Sequence, residues 1–337
     1  MRPITVSAVI PTRNRPGSLR RTLTALAAQE RLPDEVIVAD ASDRPSDIDA
    51  LAAAHPPLSL RSFHTAPSVC AQRNEAIRRA GGSHIFLCDD DIEPPPEYLR
   101  RLEAYLVHHC EVGAVTGVIS EPDAAGHFSD PFPVPGLRQL VTSFVAQRTV
   151  WADVEATTGT AFTALPLALL KGWYRRRGNT WSLAGWPLVT QVNAPIARTA
   201  IYGLGAALVR RDWLLASPYD ERLGSHGIGD NYGVALGFPG DRAIILLTDL
   251  PVRHHKAQDN RLESLSAQYR RVLALHYFMR RSSRFSSLNV AFLVWSLMAS
   301  AAAHGIRGRG DPFRITIRAL RVIVTGRNPL LGGRTAA

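Results

Sequence analysis

The sequence predicts an α/β fold in which a mostly parallel central sheet carries helices on both faces and a basic helical tail follows. Three observations carry that prediction. Short apolar runs alternate with helix-spaced segments through the first 120 residues. Polar and acidic groups recur where those runs end, and the arginines crowd into the last quarter of the chain.

Residues 5–10 are an apolar, β-branched run closed by Pro11, the pattern of a buried strand. From Ser18, the apolar residues Leu19, Leu23, Leu26 and Ala27 recur at helical spacing up to Gln29. A second strand over 35–39 ends at Asp40. A short helix over 46–54 and a strand over 58–63 follow, then a helix over 69–80 stopped by Gly81 and Gly82. The fourth strand, 84–88, runs straight into Asp89, Asp90 and Asp91. Ligands of such sheets bind beyond the carboxyl ends of the strands. The loop 11–14, Asp40 and the three aspartates all lie at such ends.

After a strand over 112–119 the pattern degrades. Residues 121–200 are rich in Pro, Gly, Trp and Thr, and an apolar stretch over 161–170 precedes Arg175, Arg176 and Arg177. This segment reads as an insertion that shapes an acceptor pocket. Strands return at 201–209 and 243–248, and between them a loop with Gly224, Gly227 and Gly229 leads to Asp230.

With 46% apolar and 20% charged residues in 337, the composition excludes wholesale disorder. Cys70, Cys88 and Cys110 are too few for a disulfide framework and fit reduced thiols in a cytosolic protein. The N-terminus has no basic region followed by a long apolar run, so no secretory signal is expected there. The net charge of +10 is unevenly placed: from Arg261 onward thirteen arginines face only Glu263 and Asp311, which leaves the first 260 residues close to neutral. Such asymmetry suits an anionic surface. Helices are expected over 262–279, 288–303 and 313–324, the last with Arg314, Arg318 and Arg321 on one face. The middle helix is shorter than the roughly 20 residues that cross a bilayer. The tail is therefore expected to lie in the interface with its arginines toward headgroups. No nucleic-acid partner is expected, since no recognised binding motif accompanies the arginines.

Three adjacent carboxylates at a strand end repel one another, and a bound cation would offset that repulsion; the alternative is a solvated acidic turn. Oxygen ligands with open positions suit Mg²⁺ or Mn²⁺. The segment 86–94, Phe-Leu-Cys-Asp-Asp-Asp-Ile-Glu-Pro, resembles the acidic metal motif of family 2 glycosyltransferases with the GT-A fold. Residues 9–15, Val-Ile-Pro-Thr-Arg-Asn-Arg, resemble that family's first strand and nucleotide loop. Val38 to Ser42 resembles its second strand end, where an aspartate reads the base, and Ala71-Gln72-Arg73-Asn74 the helix whose arginine lies near the diphosphate. The four motifs occur in the family's order. More loosely, 205–211 and 219–223 resemble its acceptor-side strand and turn. The family's Glu-Asp pair appears here as Gly229-Asp230, with the aspartate kept and the glutamate gone.

The resemblance implies a nucleotide-sugar-binding half over 1–120, an acceptor-binding and catalytic half over 121–260, and the tail over 261–337. It implies inverting transfer from a nucleotide-sugar to an acceptor hydroxyl, in cell-surface polysaccharide or glycolipid synthesis. The basic tail adds the expectation of work at the inner face of the membrane on a sugar or lipid-linked acceptor. Pro11, Thr12, Asn14, Asp40, Arg73, Asp89 and Asp90 would bind donor, Asp91 would hold the metal, and Asp230 would be the general base. The alternative role for Asp230, after a glycine-rich loop, is a helix N-cap. A histidine near the last strand often completes the metal site in this fold. Alternation turns only one of His254 and His255 inward, and His254, on the side of Val252, is favoured. The first turn lacks G-x-G-x-x-G, and no P-loop or G-x-S-x-G elbow occurs, which removes dinucleotide, NTPase and hydrolase readings. A nucleotidyltransferase and a non-catalytic sugar-nucleotide binder stay as rivals.

Overall fold

The structure, a computed structural model, describes residues 3–123, 125–240, 242–256 and 262–332. Arg261 and Arg334, both counted in the basic tail, lie outside the described residues. The first half runs β1 (Val6–Thr12), α1 (Pro16–Ala27), β2 (Glu35–Asp40), α2 (Ile48–Ala54), β3 (Leu60–His64), α3 (Val69–Arg79), β4 (His84–Cys88), β5 (Ile92–Glu93), α4 (Tyr98–His108) and β6 (Ala114–Ser120). Strands β1, β2, β4 and β6 stay close to the expected bounds because their apolar runs are buried on both faces, whereas β3, at the sheet edge, is largely exposed. Val6, Ala8 and Ile10 of β1 pack with Leu19, Leu23 and Leu26 of α1 and Leu102 of α4. Val9, between them, packs on the opposite face with Ile77 of α3.

The segment after β6 forms α5 (Leu137–Val145), β7 (Val150–Trp151), α6 (Ala164–Arg177), β8 (Thr180–Trp181), β9 (Pro187–Val189) and β10 (Ile196–Thr199). Strands β7, β9 and β8 make a small separate sheet over their own core of Leu140, Leu167, Tyr174 and Leu188. The end of the expected insertion does otherwise: β10 joins the main sheet, antiparallel to β12. The chain closes with β11 (Ala206–Arg210), α7 (Arg211–Ala216), α8 (Asp230–Gly237), β12 (Ile244–His254), α9 (Ser264–Arg281), α10 (Ser287–Ile306) and α11 (Gly310–Val324). The strand expected over 201–209 begins only at Ala206, because Gly203 and Gly205 carry the chain past the acidic cluster as irregular backbone.

The main sheet has the order β10-β12-β6-β11-β4-β1-β2-β3, with β5 paired to β12. Strands β1 to β4, β6 and β12 run one way, and β11 runs against both of its neighbours. The last strand is longer than expected and irregular. Its register against β6 shifts between Leu246 and Pro251, where a proline costs no ladder bond. Beyond that bulge it pairs with β5, setting His254 opposite Ile92, next to the aspartates.

The tail is not a loose appendage. All residues from Val272 to Met279 of α9 are buried, and they share a core with α8 and the sheet. Helix α10 is four residues longer than expected and reaches 20 residues, because Ser286 and Asn289 cap it reciprocally and it continues through His304 and Gly305. By length and composition alone it could cross a membrane, although Leu293, Ser296, Leu297 and Ala301 are buried against the protein.

At the start of β4, His84 faces Arg210 of β11 across the ladder. Burial, reinforced by that guanidinium, pushes its pKa down to about 4. The unfolded chain takes up this proton near the ordinary histidine value of about 6.5. Between pH 6.5 and 4 the unfolded state therefore binds more protons, and stability falls as the pH falls. Urea melts across that window should show an acid loss that His84→Gln flattens; an unchanged slope would remove His84 as its cause.

Candidate active site

The carboxyl ends of β1 and β4, the N-terminal turns of α3 and α8 and the end of β12 enclose a cleft of about 1080 Å³. Gln72 holds its rim, since its side-chain amide donates to Thr12 O at 3.0 Å and Ala39 O at 2.7 Å, satisfying two strand-end carbonyls. Ser225 O accepts from Val69 N and fixes the glycine loop on the start of α3.

The three aspartates separate into different roles. Asp89 receives Arg73 Nη2 at 2.5 Å, and the other arm of Arg73 reaches Asp230 Oδ2. One guanidinium thus ties the end of β4 to the first residue of α8, and the Tyr219 ring lies 5.1 Å from its centre. Burial lowers the Arg73 pKa, but Asp89 and then Asp230 outweigh it, so the group stays charged above its ordinary range. Asp90 is buried, accepting from Thr12 Oγ1 at 2.7 Å and Arg15 Nη1 at 3.1 Å. Burial pushes its pKa up to about 6, opposed first by the Arg15 charge. Asp91, 3% exposed, faces His254 Nε2 at 3.1 Å.

His254 Nδ1 meets Glu121 Oε1 at 3.2 Å, and Lys256 holds the same carboxylate. Burial works against the imidazolium, but Asp91 and Glu121 prevail and raise the His254 pKa to about 9. The His254 bond leads in depressing Glu121 to about 2. His255 turns the other way, to Glu93 Oε2 at 2.7 Å, so alternation along the strand directs His254 to the acidic cluster. One ligand atom each from Asp89, Asp91 and His254 lies within 4.8 Å of the others. Two carboxylate oxygens and an imidazole are a fitting donor set for Mn²⁺ or Mg²⁺.

Asp230 is residue one of α8, and the N-cap is Gly229 in a left-handed conformation. One carboxylate oxygen accepts from Asn231 N at 2.7 Å and the other takes Arg73, with 13% of the side chain exposed. Burial raises its pKa above the usual carboxylate value, and Arg73 opposes that shift. A buried carboxylate with a raised pKa is a stronger proton acceptor than a solvated one.

Two of the expected donor-binding residues stand outside the cleft lining. Asp40 is 2% exposed and both its oxygens are taken by the following loop, from Ser42 N at 2.8 Å and Ser46 N at 2.7 Å. Asn14 adopts a left-handed conformation (φ 53°) and exchanges two bonds with Asp43, clasping the β1 loop to the β2 loop. Pro11, Thr12, Arg73, Asp89, Asp90, Asp91, Asp230 and His254 all line the cleft. Arg15, Gln72 and Glu121 were missed by sequence reasoning. Glu121 directly follows β6, and the strand-end rule that found the aspartates applies there too.

Gly205 has a steric role. Its carbonyl accepts from Asp89 N at 2.9 Å, and a Cβ on it would lie 2.3 Å from Asp89 Oδ2. Gly205→Ala should push Asp89 off Arg73 and lower the turnover rate by roughly tenfold to a hundredfold, a misplacement of about 1 Å being enough. Steady-state kinetics on folded variant protein would check this; unchanged turnover would mean that Asp89 need not hold this position.

The Glycosyl transferase family 2 model matches residues 7–155, which contain β1 to β6 and the acidic cluster. No curated protein matches the sequence. Among solved structures, S. aureus TarS 1–349 is similar at 13% identity, with 97% of this chain and 89% of that chain covered and a TM-score of 0.54. The same protein in complex with UDP-GlcNAc is similar at 11% identity, covering 99% and 93%, with a TM-score of 0.53. In complex with UDP it is similar at 13% identity, covering 96% and 92%, again at 0.53. At such identities these likenesses speak for the fold. Residues 7–155 thus match the family 2 glycosyltransferase model, on a mixed sheet with an acidic cluster at the end of β4, and the chain as a whole shares its fold with the TarS structures.

Proposed function

We propose that the cleft moves a sugar from a nucleoside diphosphate sugar to an acceptor hydroxyl in one inverting displacement. The observation that carries this reading is the Asp89–Arg73–Asp230 chain of charge, which sets a proton acceptor against a cation able to face a diphosphate. Asp230 takes the proton of the acceptor hydroxyl as its oxygen attacks the anomeric carbon. The bond from that carbon to the diphosphate breaks, and its electron pair leaves with the phosphate. Arg73 and Arg15 face the departing charge, while Pro11 and Thr12 border the nucleotide. Asp91, His254 and Asp89 would hold Mg²⁺ or Mn²⁺, which when bound neutralises charge developing on the leaving diphosphate.

A thermal-shift screen of nucleoside diphosphates and their sugars, with and without Mn²⁺, tests the donor class, because a ligand of the native state raises apparent stability by mass action. UDP and UDP-GlcNAc head the screen, since the complexes of S. aureus TarS 1–349 carry them. Release of nucleoside diphosphate is expected on turnover. Pyrophosphate release would identify a nucleotidyltransferase instead, and binding with neither transfer nor donor hydrolysis would identify a binder.

A second element of the reading is peripheral contact with the inner face of the cytoplasmic membrane, where a lipid-linked or cell-surface glycan acceptor would be met. Helix α10 exposes Leu288, Trp295 and Met298, α6 exposes Leu165 and Leu169, and Arg314, Arg318 and Arg321 lie exposed on α11. Apolar anchors beside arginines suit an anionic interface, at about 1 kcal/mol per basic residue near the surface. Because α9 is core, the test uses the full chain: Arg314→Glu with Arg321→Glu should cut sedimentation with phosphatidylglycerol vesicles by more than about tenfold. Equal sedimentation of variant and wild type would remove α11 from the contact.

A further inference from the structure

Away from the acidic cluster, the same cleft is bordered by Arg148, which lies between the small sheet and helix α10. Gln147 before it is buried in a left-handed conformation (φ 49°) that non-glycine residues rarely adopt. Its side chain is fixed at both ends, the amide donating to Phe144 O at 2.7 Å and the carbonyl accepting from Leu183 N at 3.0 Å; its backbone oxygen accepts from Ser182 Oγ. The turn therefore holds Arg148 against the cleft rather than leaving it to solvent. Its guanidinium makes one bond among the described residues, a long one from Nη2 to Ala299 O at 3.4 Å. Among the described residues no carboxylate pairs with Arg148, Arg307 or Arg309, although most cleft-side arginines of the donor end have one. Burial lowers the pKa of Arg148, and the charge of Arg307 adds to that. Burial and then the charges of Arg148, Arg309 and Arg307 lower the pKa of His304, in the last turn of α10, and among the described residues its buried Nδ1 has no hydrogen-bond partner.

A half-buried guanidinium with a second cation beside it and a buried ring nitrogen left unpaired is an arrangement that an anion would complete. We infer that Arg148, Arg307 and His304 form a phosphate-binding subsite, remote from the donor diphosphate, that holds a phosphate group carried by the acceptor. The inference rests on the reading of the cleft as a transferase site and adds the chemical class of its acceptor. Arginine pairs bind tetrahedral oxyanions through paired N–H groups, and two guanidinium charges match a doubly charged phosphate. Trp151, Tyr202 and Trp186 line the same cleft, with the Trp151 and Tyr202 rings 5.0 Å apart, and offer faces to the uncharged part of the molecule.

The test is titration of full-length protein with inorganic phosphate while nucleoside diphosphate saturates the donor site, read at the His304 ring resonances, which His304→Gln assigns. A saturable shift of His304 is expected, weakened about tenfold in Arg148→Gln and less in Arg307→Gln, whose exposed position leaves folding untouched. Nucleoside diphosphate affinity, measured separately, should be the same in wild type and both variants. A His304 signal that phosphate does not move, or that moves equally in Arg148→Gln, overturns the inference. A shift produced by phosphatidylglycerol vesicles and by no soluble phosphate assigns the anion to a lipid headgroup and overturns its acceptor origin. Failure of nucleoside diphosphate to bind would instead count against the transferase reading, and the His304 titration would still be readable.

Discussion

Asp230→Asn should lower the rate of transfer by roughly 10²- to 10⁴-fold, the range that a positioned general base supplies. The amide keeps the shape of the carboxylate and can still accept from Asn231 N, so the start of α8 is preserved. What disappears is the capacity to take a proton. Burial works in favour of the wild-type residue, because the environment that raises its pKa also makes it the stronger base. Arg73 keeps Asp89 as partner, so the variant does not leave an isolated buried cation. Initial rates at saturating donor and acceptor, with nucleoside diphosphate affinity measured in parallel, separate the two roles. A variant that binds donor normally but turns over slowly fits a base; one that turns over at the wild-type rate removes Asp230 from the chemistry.

Asp91→Ala is the second large effect. Its carboxylate is the buried member of the Asp89, Asp91, His254 group, and it fixes the His254 ring at 3.1 Å. Removing it takes away a ligand and the orientation of another. If the bound cation contributes roughly 4 kcal/mol to stabilising charge on the leaving diphosphate, transfer should fall about a thousandfold. Mn²⁺ affinity, followed by electron paramagnetic resonance of the free ion, should drop in the same variant. Folding should survive, because the triplet loses one of three mutually repelling carboxylates. Wild-type Mn²⁺ affinity in Asp91→Ala would place the metal elsewhere, and unchanged transfer in its presence would separate catalysis from this cluster.

The donor half was legible because its information is local. The runs of β1, β2 and β4 are short and apolar, and polar groups sit at the next residue or two, as Pro11 and Thr12 follow Ile10 and the aspartates follow Cys88. Period and position sufficed there. They failed where the chain is irregular or where distant segments meet. Asp40 sits at the expected strand end, yet backbone amides of its own loop occupy both oxygens, a local hydrogen-bond choice that no spacing reveals. The tail looked like an attachment because its arginines dominate the composition, while the apolar face of α9 that buries it in the core is spread over a helix with charged ends.

The sequence by itself determined the element order from β1 to β4, the acidic cluster that follows β4, and the crowding of arginine at the end of the chain, since all three are properties of neighbouring residues; β5 and α4 came from the structure. Only the tertiary structure decided which histidine meets Asp91, that Arg73 reaches Asp230, 157 positions away, while holding Asp89, and that among the described residues no carboxylate pairs with Arg148. Those outcomes depend on a register shift in β12, on the pairing of β5 with β12, and on a left-handed turn at Gln147. The first two are pairings between segments far apart in sequence, and the turn is held by the bond from Leu183 N to the Gln147 side chain, so packing and pairing geometry rather than local propensity fix them.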